Sequence, residues 1–171
     1  MNTCFVLLLA LFLLCLTIRT TYEAFKKAGR ANTKALFPVI LTVMILLWVS
    51  WFVMCPLDPL LFEASPVVHW SGFGAFVLGW ILALTALMQL KGLEDIDHLV
   101  TTGLFSKIRH PMYTGFVLWI LGWGLYHGAG VSLIAGLVAI GNVLYWRGLE
   151  EANLEAQYGE AYLSYRRGTW F

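Results

Sequence analysis

Two short clusters in the second half of this chain hold side chains that could do chemistry together. They are Arg109-His110-Pro111-Met112-Tyr113 and Arg147-Gly148-Leu149-Glu150-Glu151. Arg109 and His110 can donate hydrogen bonds to an anion. Pro111 suits the first turn of a helix, whose free N–H groups favour negative charge. Glu150 can accept from an ammonium or from ribose hydroxyls. Phe105, Met112 and Tyr113 offer apolar and aromatic surface to a flat ring. The set suits a zwitterionic ligand with an aromatic base. The same residues also fit plainer roles. Lys107 and Arg109 fit membrane anchors, His110-Pro111 a helix start, and Glu150 and Glu151 ion pairs or solvated groups. Asp95, Asp97 and His98 are metal-binding types. Their spacing, without a second cluster, reads as a solvated loop, and no metal site is assigned.

Membrane spans must position these clusters. The chain is 60% hydrophobic and 12% charged over 171 residues, and the apolar residues gather in long runs. Cys4 to Ile18 reads as the core of a first span; Met1-Asn2-Thr3 lacks the positive charge of a signal peptide. Ala35 to Cys55 forms a second span, with Pro38 placed in its first turn, and Val67 to Leu90 a third. Thr114 to Tyr126 and Val131 to Trp146, joined by His127-Gly128-Ala129-Gly130, read as a tight hairpin. At about 1.5 Å per residue its arms reach roughly 20 and 24 Å. All 11 Lys and Arg fall in Arg19 to Lys34, Lys91 to Arg109 and Arg147 to Arg167. Cytoplasmic segments carry such an excess, so the expectation is about five transmembrane helices with the N-terminus outside. In the tail, Leu154, Tyr158, Tyr162 and Tyr165 share one face of a cytoplasmic amphipathic helix that Gly159 can break. The span glycines, among them Gly72, Gly79, Gly115 and Gly122, read as helix-packing positions. Trp48, Trp51, Trp70, Trp119, Trp123 and Trp146 read mostly as an interfacial belt. The three cysteines, odd in number and widely spaced, read as small apolar residues. Nothing marks a nucleic-acid partner.

The motifs themselves resemble a known family. Asp97-His98-Leu99-Val100-Thr101-Thr102-Gly103-Leu104-Phe105, followed by Arg109-His110-Pro111-Met112-Tyr113, resembles the signature of the isoprenylcysteine carboxyl methyltransferase family. That family sits in a wider group that includes phospholipid methyltransferases. Glu150-Glu151-Ala152-Asn153-Leu154, Tyr158-Gly159-Glu160-Ala161-Tyr162 and Tyr165-Arg166-Arg167 carry the rest of the likeness. The resemblance implies an all-α integral membrane enzyme that moves a methyl group from S-adenosylmethionine. It implies one domain over residues 1–171, with a three-span part at 1–90 and a cofactor-binding part at 91–171. It implies a cofactor held by His98, Leu99, Val100, Phe105, Arg109, His110, Pro111, Met112, Tyr113 and Glu150, with the sulfonium methyl toward the membrane. Trp146, Arg147 and Glu151 are the substrate-side candidates. The chain departs from the pattern in places. Gly103-Leu104-Phe105 stands where Gly-Pro-Tyr is usual, and Trp146 where a substrate-binding Arg is expected, with Arg147 turned by about 100°. The tail ends Gly168-Thr169-Trp170-Phe171 without Val-Pro.

The expected acceptor is lipophilic or small. Alternatives are a phospholipid amine, a small thiol, or a non-catalytic scaffold that kept the fold; a membrane reductase would need a nicotinamide site that is not evident. Compactness points to a prokaryotic plasma membrane over an endoplasmic reticulum, with the site on the cytoplasmic side. Oligomeric state is left open.

Overall fold

The computed structural model describes residues 2–31, 33–90 and 99–171. Residues 91–98, including the expected cofactor residue His98 and the acidic loop before it, lie outside the described residues. Among the described residues there are six α-helices: α1 (Thr3–Lys27), α2 (Thr33–Met54), α3 (Pro66–Leu90), α4 (Pro111–His127), α5 (Gly130–Tyr158) and α6 (Glu160–Arg167). In an apolar solvent the backbone must satisfy itself, and helices do so within one segment. Four of the six, α1, α2, α3 and α5, are long and apolar enough to cross a membrane. With 17 residues, α4 rises only about 25 Å, short of a hydrocarbon core near 30 Å.

Asn2 caps α1 by accepting from the Cys4 N–H at 3.0 Å, and Lys26 and Lys27 close its last turn. Because α2 begins at Thr33, Pro38 falls in its second turn rather than its first, at the loss of one early backbone bond. The second arm of the hairpin is longer than its apolar run suggests. The 29 residues of α5 carry the helix well past Trp146, through Glu150 and Glu151, to Tyr158. Gly159, at φ +52°, ends it, and α6 turns back with Tyr162 fully buried. The shared face of Leu154, Tyr158, Tyr162 and Tyr165 is the packed one, although the two helices divide it.

The helices form a curved row. α1 packs on α2 and α5, α5 on α4, and α4 on α3, whereas the α2 and α3 backbones stay apart and these helices meet through large side chains. Glycines make the α3–α4 seam, the closest in the protein. A Cβ on Gly79 would lie 2.6 Å from the Gly115 carbonyl, and one on Gly72 would lie 2.8 Å from the Tyr126 nitrogen. Gly74 and Gly141 face open space and have no such role. The concave side of the row is filled by rings, Trp48 and Phe52 of α2 meeting Phe76 and Trp80 of α3 and Phe116, Trp119 and Trp123 of α4. The expected belt is therefore corrected. Trp51, Trp119 and Trp146 are buried and Trp48 and Trp123 pack on the core; only Trp70 of the six is well exposed. An apolar run shows that a tryptophan lies at membrane depth and not which way it points.

At the end of the bundle far from the two chemical clusters, Asp58 anchors α5. Its carboxylate is buried and accepts from the Ser132 N–H and hydroxyl, each at 2.6 Å, and from the Val131 and Leu60 N–H groups at 3.3 and 2.8 Å. A loop residue thus caps a helix more than 70 positions later, where the helix dipole also favours its charge. Asp58→Ala should leave those donors unpaired in a dry site and cost about 2–3 kcal/mol. Thermal unfolding in detergent should show a midpoint lowered by roughly 4–10 °C. An unchanged midpoint would mean that the cap does not hold the hairpin in place.

Candidate active site

The two chemical clusters meet. Pro111 opens α4, and His110, just before it, is buried. The His110 Nε2 lies 3.3 Å from Glu151 Oε1, and its Nδ1 lies 4.0 Å from Glu150 Oε2. Its ring stacks on Tyr113 at 5.6 Å. Glu151 Oε1 also takes the Arg109 Nε at 3.3 Å and the Arg147 Nε at 3.4 Å. Since two guanidiniums keep Glu151 anionic, the imidazole proton belongs on Nε2. The Nδ1 lone pair then faces Glu150.

The tail fixes the segment that carries His110. Trp170 donates its N–H to the Lys107 carbonyl, while the Arg109 and His110 N–H groups donate to the carbonyls of Trp170 and Phe171. Arg109 Nη1 donates to the Thr169 and Arg166 carbonyls at 2.6 and 3.0 Å. The Tyr165 hydroxyl donates to the Phe105 carbonyl at 2.6 Å. Gly103, at φ +63°, sits against the Gln89 amide, whose oxygen accepts from the Leu104 N–H at 3.0 Å.

These elements wall a cavity of 490 Å³, a size suited to small-molecule binding. At one end stand Arg19, Arg109, His110, Tyr113 and Glu150. The remaining wall is apolar and aromatic: chiefly Phe37, Ile40 and Met44 of α2, Leu84 and Leu87 of α3, and the rings Trp48, Trp80, Phe116 and Trp119 beneath. The Glu150 side chain is 48% exposed, and it is the one acid among the lining residues, so that exposure opens onto the cavity.

Of the residues expected at the site, Phe105, Arg109, His110, Pro111, Met112, Tyr113, Trp146 and Glu150 line the cavity. Leu99 and Val100 are half-buried and are not in its wall. Neither are Arg147 and Glu151. Arg147 is tied to Glu151 and lies over the Phe171 ring at 4.4 Å, outside the cavity wall. The sequence reading passed over Arg19 and the apolar wall from α2 and α3. A lone Arg with Glu23 one turn on, at the end of an apolar run, was the available signal for Arg19.

The profile of the phospholipid methyltransferase family matches residues 67–161, more than half of the chain. The chain belongs to that family. Among curated relatives, it is 32% identical over 111 residues to protein-S-isoprenylcysteine O-methyltransferase of Schizosaccharomyces pombe, covering 59% of this chain and 47% of the relative. It is 28% identical over 145 residues to methanethiol S-methyltransferase 2 of Bradyrhizobium diazoefficiens, covering 75% and 55%. It is also 32% identical over 111 residues to protein-S-isoprenylcysteine O-methyltransferase B of Arabidopsis thaliana, covering 57% and 56%. The chain spans about half the length of the curated relatives it matches. No solved structure gives a significant match.

Burial pushes the His110 imidazole down to about 4, against the pull of Glu151 and with the help of Arg147 and Arg109. A histidine lowered in the folded state takes its proton earlier when unfolded, so stability falls as pH drops from about 6.5 toward 4. The wild-type unfolding midpoint should therefore fall more steeply over that window than the midpoint of His110→Gln, which has no proton to gain there. Parallel curves would place His110 in water.

Proposed function

We propose that the chain is an integral membrane methyltransferase that moves a methyl group from S-adenosylmethionine to a lipophilic or small acceptor. The observation that carries this reading is one cavity whose charged end takes Arg109, His110, Tyr113 and Glu150 from the family-matched segment and whose apolar wall comes from α2 and α3. The charged end suits the donor. His110 Nδ1 and Glu150 Oε2 are two acceptors facing across 4.0 Å, a spacing that an ammonium, with more than one N–H to donate, can bridge. Tyr113, Phe105 and Phe116 supply faces for a cation or a flat base. S-adenosylmethionine, when bound, supplies an electrophilic methyl on a sulfonium.

The protein's part is placement. Glu151 and the tail hold His110, and His110 and Tyr113 flank Glu150. The aromatic floor keeps water from the reacting end, which strengthens the field of Glu150 and Arg19 there. A carboxylate or thiolate acceptor needs no base, and orientation alone can supply much of the rate. The apolar wall suits an acceptor with an apolar chain. A small thiol is the second acceptor class, supported by the methanethiol S-methyltransferase match over three quarters of the chain.

The proposed topology has five spans, with α4 the short one, and its N-terminus outside. The basic residues of α1, the 107–109 segment and the tail then share the cytoplasmic face with the site.

Binding of radiolabelled S-adenosylmethionine to the full chain in detergent tests the reading. Saturable binding is expected in wild type, weakened at least about tenfold by Glu150→Ala and by His110→Ala, or about 1.4 kcal/mol each. A folded wild type that binds none would sink the methyltransferase reading in favour of a scaffold that kept the fold.

A further inference from the structure

Two cationic side chains stand in the cavity wall, and they are not equivalent. Arg109 is heavily engaged, its Nε on Glu151 and its Nη1 on the Arg166 and Thr169 carbonyls. Arg19, on α1 and so outside the family-matched segment, is only partly engaged. Its Nη1 pairs with Glu23 one turn on, both side chains being 15% exposed. Its Nε is buried and meets no acceptor. A buried N–H without a partner costs on the order of 1–3 kcal/mol, so its persistence beside a ligand-sized cavity calls for an acceptor.

The guanidinium is also held in place. It lies over the Trp146 ring at 5.2 Å and the Tyr22 ring at 5.4 Å. The Trp146 ring is itself pinned, its Nε1 donating to Thr20 Oγ1 at 2.9 Å, while that hydroxyl donates to Asn142 Oδ1 at 2.7 Å. Two ring contacts and one ion pair hold the guanidinium beside the cavity and leave its Nε–H without an acceptor. An arginine so arranged is suited to a planar anion.

We propose that Arg19 is a carboxylate-binding residue of the cavity, its Nε–H edge taking one oxygen of a ligand carboxylate while Nη1 stays on Glu23. The proposal rests on the methyltransferase reading, which supplies two sources of that group: the amino-acid end of the methyl donor, or the acceptor itself.

Equilibrium binding to the full chain in detergent, with two matched ligand pairs, separates the sources. One pair is S-adenosylmethionine and its decarboxylated analogue. The other is N-acetyl-S-farnesylcysteine and its carboxamide. Wild type should favour the carboxylate member of one pair by about tenfold or more. Arg19→Gln should erase that preference and leave unchanged the affinity of the member that lacks the carboxylate. Arg19→Lys, which keeps the charge on a different geometry and is the fallback if the Gln variant does not fold, should retain only part of the preference. The pair that responds identifies the source. Wild type with no preference in either pair, or an Arg19→Gln variant weakened equally for both members, would overturn the proposal and leave Arg19 a structural tie between α1 and α5. If neither donor-pair ligand binds folded wild type, the methyltransferase reading itself has failed, and the acceptor pair still decides whether Arg19 binds a carboxylate.

Discussion

One carboxylate oxygen on α5 organises the charged end of this protein. Glu151 Oε1 lies 3.3–3.4 Å from nitrogens of Arg109, His110 and Arg147, which come from the segment before α4 and from one turn back on α5. Taking a carboxylate out of water is expensive unless it is paired, and here Arg109 and His110 lie within hydrogen-bonding distance while Arg147 adds a second guanidinium charge. Every further placement depends on it. With Arg109 drawn to Glu151, the far side of its guanidinium reaches the Thr169 and Arg166 carbonyls and brings the tail across the site. With the His110 Nε2 proton committed to Glu151, Nδ1 has only its lone pair to offer, and it turns to the cavity beside Glu150. The neighbouring acids divide the work by their positions on the helix: Glu151 faces the scaffold and Glu150 the cavity.

The cavity is a consequence of unequal helix contacts. The glycine seam lets α3 and α4 approach at backbone distance, while α2 and α3 meet through large side chains. Large rings fill the space between them over only part of its depth, and the remainder is the cavity. Small residues in one place and large ones in another thus set both the opening and the floor. A helix row with uniform side chains would close on itself and leave no room for a ligand.

Much of this was legible in the sequence, and the illegible parts have a common cause. Long apolar runs locate α1, α2 and α3 because hydrocarbon thickness dictates their length. The Tyr and Leu spacing of the tail and its break at Gly159 are local properties of a helix in partly aqueous surroundings, so periodicity reveals them. Within the membrane, both the lipid face and the interior face are apolar, and periodicity loses its contrast. The tryptophans were therefore read as a belt although most point inward, and the α2 and α3 wall of the cavity could not be picked out. The extent of α5 was missed because composition changes at Arg147 while backbone hydrogen bonding does not. Arg19 went unnoticed for a related reason. Its position at the end of an apolar run matches a membrane anchor, and only the fold shows it turned inward on Trp146.

The chain's two halves contribute different things, and polar ties join them near both ends of the bundle. Asp58, from the first half, caps α5 at one end of the bundle; Thr20, also from the first half, holds the Trp146 ring near the other end. Between these ties, α1 and α2 lie against the core through apolar side chains, which accept volume-conserving changes at little cost. The second half, by contrast, is bound by charged and backbone hydrogen bonds that allow few substitutions. Under the proposed reading, the donor end is thus built from the rigid half. The opening and the Arg19 fork come from the half whose surface can vary without disturbing it. Acceptor choice can then change by substitution in α1 and α2 while His110, Glu150 and Glu151 stay where the donor needs them.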